Sequence, residues 1–198
     1  MKSRSSGCLK GGLYAAAMLM VCAGPAWAAL DVGVNAPDFS APAAHAGKAF
    51  TFSLNKALKK GPVVLYFYPE AFTNGCTIEA KSFADAMPKF KALGATVVGM
   101  SHDAMPILKR FSVEACHSKF SVASDPAMDT IKKYDAALWQ GDQAGRITYI
   151  ISPGHKVVYA YASDSPDQHV ELALKALETW KAAHAPIAAH PPSKAGSR

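Results

Sequence analysis

The chain has 198 residues, half of them hydrophobic and 18% charged, which is enough for one well-buried domain and too little for two. Its formal net charge is +6, but Lys2, Arg4 and Lys10 fall in the first 28 positions with no acidic residue among them, leaving 18 basic against 15 acidic residues and a net charge of +3 in the remainder. That remainder has no dense Lys/Arg cluster and no basic residues interleaved with aromatics, so a nucleic-acid role has no support.

Residues 1–28 read as a secretory signal peptide: a basic start, an apolar run over 13–23, then Ala26-Trp27-Ala28, with cleavage expected after Ala28 and a periplasmic destination. The run is too short for a comfortable membrane span, and no later stretch approaches the roughly eighteen apolar residues that one needs. Leu19-Met20-Val21-Cys22 offers a lipid-modified alternative, weakened because Val21 is bulky where a small residue is wanted. Cleavage at Ala28 removes Cys8 and Cys22 and leaves Cys76 and Cys116. In an exported protein such a pair, taken alone, reads first as one structural disulfide.

Residues 29–47, rich in Ala, Pro and Gly, suggest an irregular opening segment, and 49–54 a short strand. The unalternating apolar run 62–68, ended by Pro69, suits a central strand covered on both faces. After the loop 69–75, Cys76, Ala80, Phe83, Met87 and Phe90 recur at helical steps. Pro88 is expected to kink or loosen that helix, and Gly94 to terminate it. There follow a strand over 95–100, a helix over 104–116, a strand over 120–123 and a helix over 126–134. A hairpin of 146–151 with 156–161 turns around Pro153-Gly154. A last helix takes Ser165 as N-cap and Pro166 in its first turn, with Val170, Leu174 and Leu177 on one face. The tail 184–198 lacks periodicity and is expected to be disordered. The pattern is that of a single α/β domain over 29–183 with mixed strand directions.

Cys76 follows Gly75 at a helix start, where unpaired backbone amides and the positive end of the helix dipole favour a thiolate. Its place on the apolar face would hold it at the base of a shielded pocket, although a buried cysteine is often only a small hydrophobe. Pro69 would shield the sulfur from water, and Thr73 could turn its hydroxyl toward the sulfur and a bound oxidant.

The run Tyr66-Phe67-Tyr68-Pro69-Glu70-Ala71-Phe72-Thr73-Asn74-Gly75-Cys76-Thr77-Ile78-Glu79-Ala80 resembles the peroxidatic loop of peroxiredoxins, most closely the bacterioferritin comigratory, or peroxiredoxin Q, branch. The family's Pro-x-x-x-Thr-x-x-Cys signature falls on Pro69, Thr73 and Cys76. Its arginine before a strand falls on Arg146, ahead of Ile147-Thr148-Tyr149-Ile150, and Val34-Asn35-Ala36-Pro37-Asp38-Phe39 is similar to its opening. The resemblance covers residues 34–183 and implies a thioredoxin-like α/β sandwich with a mixed central sheet flanked by helices. It also implies a thiol-dependent peroxidase that reduces hydrogen peroxide and organic hydroperoxides. Cys76 would attack a peroxide oxygen and become a sulfenic acid, while the always-charged fork of Arg146 holds thiolate and peroxide. A thioredoxin-like or other thiol reductant is the implied partner, and no cofactor or metal is implied.

The chain departs from the pattern at Lys81, where many members of the branch carry a second cysteine five residues after the first. That leaves Cys116 to resolve the sulfenic acid within the chain, a helix from which other members of the branch also resolve; a structural or unpaired Cys116 stays open. A metal site from Cys116 and His117 is disfavoured, since adjacent side chains on a helix point apart and no ligand cluster accompanies them. The other histidines read as surface residues. Two rival functions remain. An exported thiol-disulfide oxidoreductase would want a Cys-x-x-Cys pair, but positions 73 and 79 hold Thr and Glu. A non-catalytic binding protein would use a Cys76–Cys116 disulfide only as a staple.

Overall fold

The computed structural model describes residues 29–139 and 141–184; the expected signal peptide and the tail beyond His184 lie outside them. In chain order the elements are β1 (Ser40–His45), β2 (Lys48–Ser53), α1 (Leu54–Leu58), β3 (Val63–Phe67), α2 (Asn74–Ala92), β4 (Thr96–Ser101), α3 (Met105–Glu114), β5 (Ser121–Ser124), α4 (Asp129–Lys133), β6 (Ile147–Ile151), β7 (Val157–Ala162) and α5 (His169–Ala183). The seven strands form one sheet in the order β2-β1-β5-β4-β3-β6-β7. β3 pairs parallel to β4 and antiparallel to β6, so the expected mixed sheet is present.

Every residue of β3 is buried because each face of the sheet carries its own apolar layer. Leu65 and Phe67 join Leu54, Leu58, Ile131, Tyr134 and Tyr149 on one side. On the other, Val64 and Tyr66 join Phe83 and Phe90 of α2, Leu108 and Phe111 of α3, and Leu177 of α5. This second layer contains both Cys76 and Cys116. Tyr66 stacks on Phe83 at 4.3 Å between ring centroids, and Gly99 of the neighbouring strand makes room for it. A Cβ at Gly99 would lie 2.7 Å from the Tyr66 ring.

Several expected boundaries move, each for a local reason. The opening segment is irregular only as far as Phe39: Ser40–His45 pairs along its whole length with β2. Small residues at Ala41, Ala43 and Ala44 fill its buried positions and hide the usual β-branched signal. α1 begins at Leu54 on a Ser53 cap that accepts from the Lys56 N–H, so the strand expected over 49–54 is cut one residue short. α2 runs on to Ala92 without a break at Pro88, which is exposed and only one turn from the helix end. α3 stops at Glu114, leaving Cys116 in the turn that follows. α4 covers only Asp129–Lys133 of the helix expected over 126–134, because Met128 takes a left-handed φ of 61° before it. α5 starts at His169 rather than near Ser165: the Ser165 hydroxyl is engaged with the Asp167 carboxylate in the preceding turn, and Gln168 is the cap.

Candidate active site

The register of β3 against β6 sets Phe67 opposite Ile147, so the end of one strand and the start of the other lie side by side. The loop following β3 therefore meets Arg146. That loop is tied to the next crossover by Asp103, whose carboxylate accepts from the Ala71 N–H at 2.8 Å and from the Ser101 hydroxyl at 2.8 Å. Phe72 adopts a left-handed φ of 67°, a cost of about 1–2 kcal/mol for a non-glycine residue. Its ring packs edge-on to Phe111 at 5.2 Å and lies beneath the Arg110 guanidinium at 5.1 Å. The loop is thus held from α3 on one side and from Asp103 on the other.

α2 is capped at Thr73, and its first intrahelical bond runs from the Thr77 N–H to the Thr73 carbonyl at 2.9 Å. The amides of residues 74–76 precede that bond and face the end of the helix where its dipole is positive. Cys76 is 1% exposed and belongs to the apolar layer. Arg146, itself buried, donates through Nη2 to Cys76 Sγ at 3.5 Å and through Nε to the Asp164 carbonyl at 3.1 Å. Burial works against the guanidinium charge, but the pull of the neighbouring Glu79 and Cys76 outweighs it and holds Arg146 above its ordinary value. Gly75 leaves the space for this approach: a Cβ there would sit 3.0 Å from Arg146 Nη2.

Pro69 is half-buried at the end of β3 and Thr73 is exposed at the helix cap. The Thr73 hydroxyl differs from its expected orientation, since it donates to the Glu70 carbonyl at 3.1 Å rather than toward the sulfur. Its oxygen lone pairs remain available as acceptors.

Two residues that the sequence reading did not single out complete the site. Glu79 is wholly buried and accepts from Arg146 Nη1 through Oε2, so Arg146 bridges the carboxyl and the thiol. His169, read as a surface residue, is also wholly buried; the correction follows from its place at the first turn of α5, which packs against α2. Its Nε2 lies 3.1 Å from the Ser163 carbonyl and its Nδ1 2.8 Å from the Thr148 hydroxyl. A carbonyl only accepts, so the proton is on Nε2 and Nδ1 accepts from Thr148. Spacing offered a signal for Glu79, which lies three residues after Cys76 on the same helical face. Nothing comparable marked His169.

Cys116 is wholly buried in the same apolar layer, and both cysteines are free thiols. Burial pushes the Cys116 thiol far above its ordinary value. Tyr66 and Tyr68 belong to the same layer; the Tyr66 hydroxyl is buried without a hydrogen-bond partner, and both phenols are pushed up first by burial. The turn after Cys116 places two successive non-glycine residues in the left-handed region, His117 at φ 49° and Ser118 at 56°.

Residues 32–160 match the AhpC/TSA family. The chain belongs to this family of peroxiredoxins. It is 36% identical over 131 residues to a chloroplastic peroxiredoxin Q of Sedum lineare, covering 65% of this chain and 69% of that protein. It is 37% identical over 131 residues to the peroxiredoxin Q of Populus jackii, covering 65% of this chain and 61% of that one. Among solved structures, peroxidoxin BcpB of Mycobacterium tuberculosis superimposes with a TM-score of 0.68 at 30% identity, over 75% of this chain and 96% of that one. The expected family and thioredoxin-like fold are both found, and this peroxiredoxin is a thiol peroxidase.

Proposed function

We propose that Cys76 is the peroxide-attacking thiolate, that Arg146 holds it and the incoming peroxide, and that Cys116 resolves the product within the chain. The observation that carries this reading is the Arg146 guanidinium against Cys76 Sγ, both buried, at the open N-terminal end of α2. Sγ attacks one peroxide oxygen, an S–O bond forms as the O–O bond breaks, and water or an alcohol leaves. The Cys116 thiol then displaces water from the sulfenic acid, forming a disulfide that a thioredoxin-like or other dithiol reduces. In this reading Pro69 walls the pocket, and the Thr73 oxygen, its hydroxyl donating to Glu70, accepts from a bound hydroperoxide.

Resolution calls for movement, because both sulfurs are buried and Cys116 must ionise to attack. The strained turn at His117 and Ser118 is where this reading puts the opening, at the end of α3. We further propose export through the segment 1–28, so that the mature enzyme starts at Ala29 and works in an oxidising compartment.

The test is stopped-flow oxidation followed by peptide mapping. Cys76→Ser is expected to abolish turnover with the fold intact. After one equivalent of peroxide the parent should carry a linked Cys76–Cys116 peptide pair. Cys116→Ser should accumulate sulfenic and then sulfinic acid. Normal turnover of Cys116→Ser with a dithiol, and no linked pair in the parent, would mean that an external thiol resolves the enzyme instead.

A further inference from the structure

Arg146 is one cation shared by two acids. One is the Cys76 thiol; the other is Glu79, whose Oε2 accepts from Nη1 while Oε1 is buried without a donor. A buried carboxylate oxygen with no donor is costly, whereas a protonated carboxyl carries no charge to leave unsolvated there. His169 Nδ1 lies 3.8 Å from Oε1. That nitrogen accepts from the Thr148 hydroxyl, since the imidazole proton is held on Nε2 by the Ser163 carbonyl. His169 therefore has no hydrogen to offer an ionised Glu79.

The charged and titratable groups that face Glu79 are few. Cys76 lies one turn earlier on α2, Arg146 at the start of β6, His169 on α5 and Tyr66 on β3. Burial draws His169 down to about 4 and pushes the Tyr66 hydroxyl well up, so both are neutral near pH 7. Burial likewise pushes the Glu79 carboxyl up to about 8, against the pull of Arg146. With Cys76 as thiolate and Glu79 as carboxylate, the pocket would hold a net negative charge away from water, which is unfavourable.

We propose that Glu79 is the proton store of the peroxidatic site, protonated on Oε1 while Cys76 is a thiolate and ionised once Cys76 is a sulfenic acid. This rests on Cys76 being the peroxide-attacking cysteine. The balanced step is Cys76–S⁻ + ROOH + Glu79–COOH → Cys76–SOH + ROH + Glu79–COO⁻. The O–O bond breaks, an S–O bond forms, sulfur is oxidised and the peroxide reduced by two electrons. The proton that Glu79 loses matches the one the leaving oxygen gains. The charge beside Arg146 stays at zero throughout, so Arg146 passes from the thiolate to the carboxylate without a buried charge left unpaired. Glu79 thus both holds Arg146 through Oε2 and gives up the proton of Oε1.

Infrared difference spectroscopy of the mature protein, reduced and then oxidised by one equivalent of hydrogen peroxide, tests this directly. Dimedone labelling run in parallel reports whether Cys76 is the sulfenic acid. The reduced protein should show the carbonyl stretch of a protonated carboxylic acid. It should shift on ¹³C-glutamate labelling, vanish on oxidation and be missing from Glu79→Gln. In parallel, Cys76 oxidation in the parent should slow as pH rises past about 8, and Glu79→Gln should lack that alkaline fall. Labelled Cys76 with no such band, or with a band unchanged by oxidation, overturns the proton store while leaving the peroxidatic role of Cys76 intact. Absence of label at Cys76 overturns both. The labelled parent decides the matter even if Glu79→Gln folds poorly.

Discussion

Gly75 has an ordinary helical backbone, so alanine can replace it without conformational cost; only the Arg146 fork stands in the way of a Cβ. Gly75→Ala should therefore displace the guanidinium and slow Cys76 oxidation, while the gain of up to about 1 kcal/mol in helix propensity is offset by the disturbed Arg146 contacts. Arg146→Met should slow it more, by about 10- to 100-fold, the equivalent of one charge-assisted hydrogen bond. Stopped-flow rates for the two variants check the order, and equal rates in variant and parent would remove Arg146 from the reaction. His169 gives a second residue-level expectation. Burial holds it at about 4 in the fold against 6.5 in the unfolded chain, so its contribution to stability is present above pH 6.5 and is lost as pH falls to 4. A shift of that size corresponds to about 3 kcal/mol. His169→Gln keeps a donor for Ser163 and cannot titrate, so the stability gap between parent and variant should narrow over that window in denaturant unfolding. Parallel curves would contradict a buried neutral imidazole. At this scale Pro69, Thr73 and Cys76 could be singled out because a motif ties them to fixed spacings, and Arg146 because it precedes a strand similar to the family's. His169 could not, because its burial depends on how α5 meets α2 across the 76 residues between them.

α3 and the turn beyond it bear on the candidate site differently. Its side chains Arg110 and Phe111 steady Phe72 in the loop after β3, while beyond its last turn His117 and Ser118 sit at left-handed φ with no glycine to ease them. Ser118→Gly should stabilise the reduced protein by about 0.5–1 kcal/mol, the relief of left-handed strain less the extra freedom of glycine in the unfolded chain. If strain helps this turn to open, the same variant should form the Cys76–Cys116 disulfide more slowly. Thermal melting and peroxide-quench mass spectrometry measure the two effects, and a faster disulfide would place the opening elsewhere. The sequence made most elements visible: the buried run of β3, the periodic face of α2 and the hairpin of β6 with β7. It concealed β1, where alanines fill the buried positions, and it misplaced the start of α5. Ser165 and Pro166 carry cap chemistry that the chain spends on a turn three residues too early.

For the molecule as a whole, Arg146 and the loop that leads to Cys76 meet at one end of the neighbouring strands β3 and β6, beside the end of the edge strand β7, while the other edge strand, β2, lies at the far side of the sheet. Export is the remaining expectation at this scale. Expressed from its first residue in a host with a Sec system, the protein should be recovered outside the cytoplasm with an N-terminus at Ala29; an intact Met1 in the cytoplasmic fraction would refute the signal-peptide reading. The tyrosines beside the sulfurs have a practical consequence as well. Tyr66 and Tyr68 are 5.5 Å apart, with Phe83 stacked on one and Phe111 on the other. Rings locked in such an asymmetric stack give a strong near-ultraviolet circular dichroism signal, and both phenols feel the charge of each cysteine. Every turn of the catalytic cycle should consequently be visible optically, with no label attached, as a change in tyrosine dichroism that keeps time with the oxidation of Cys76.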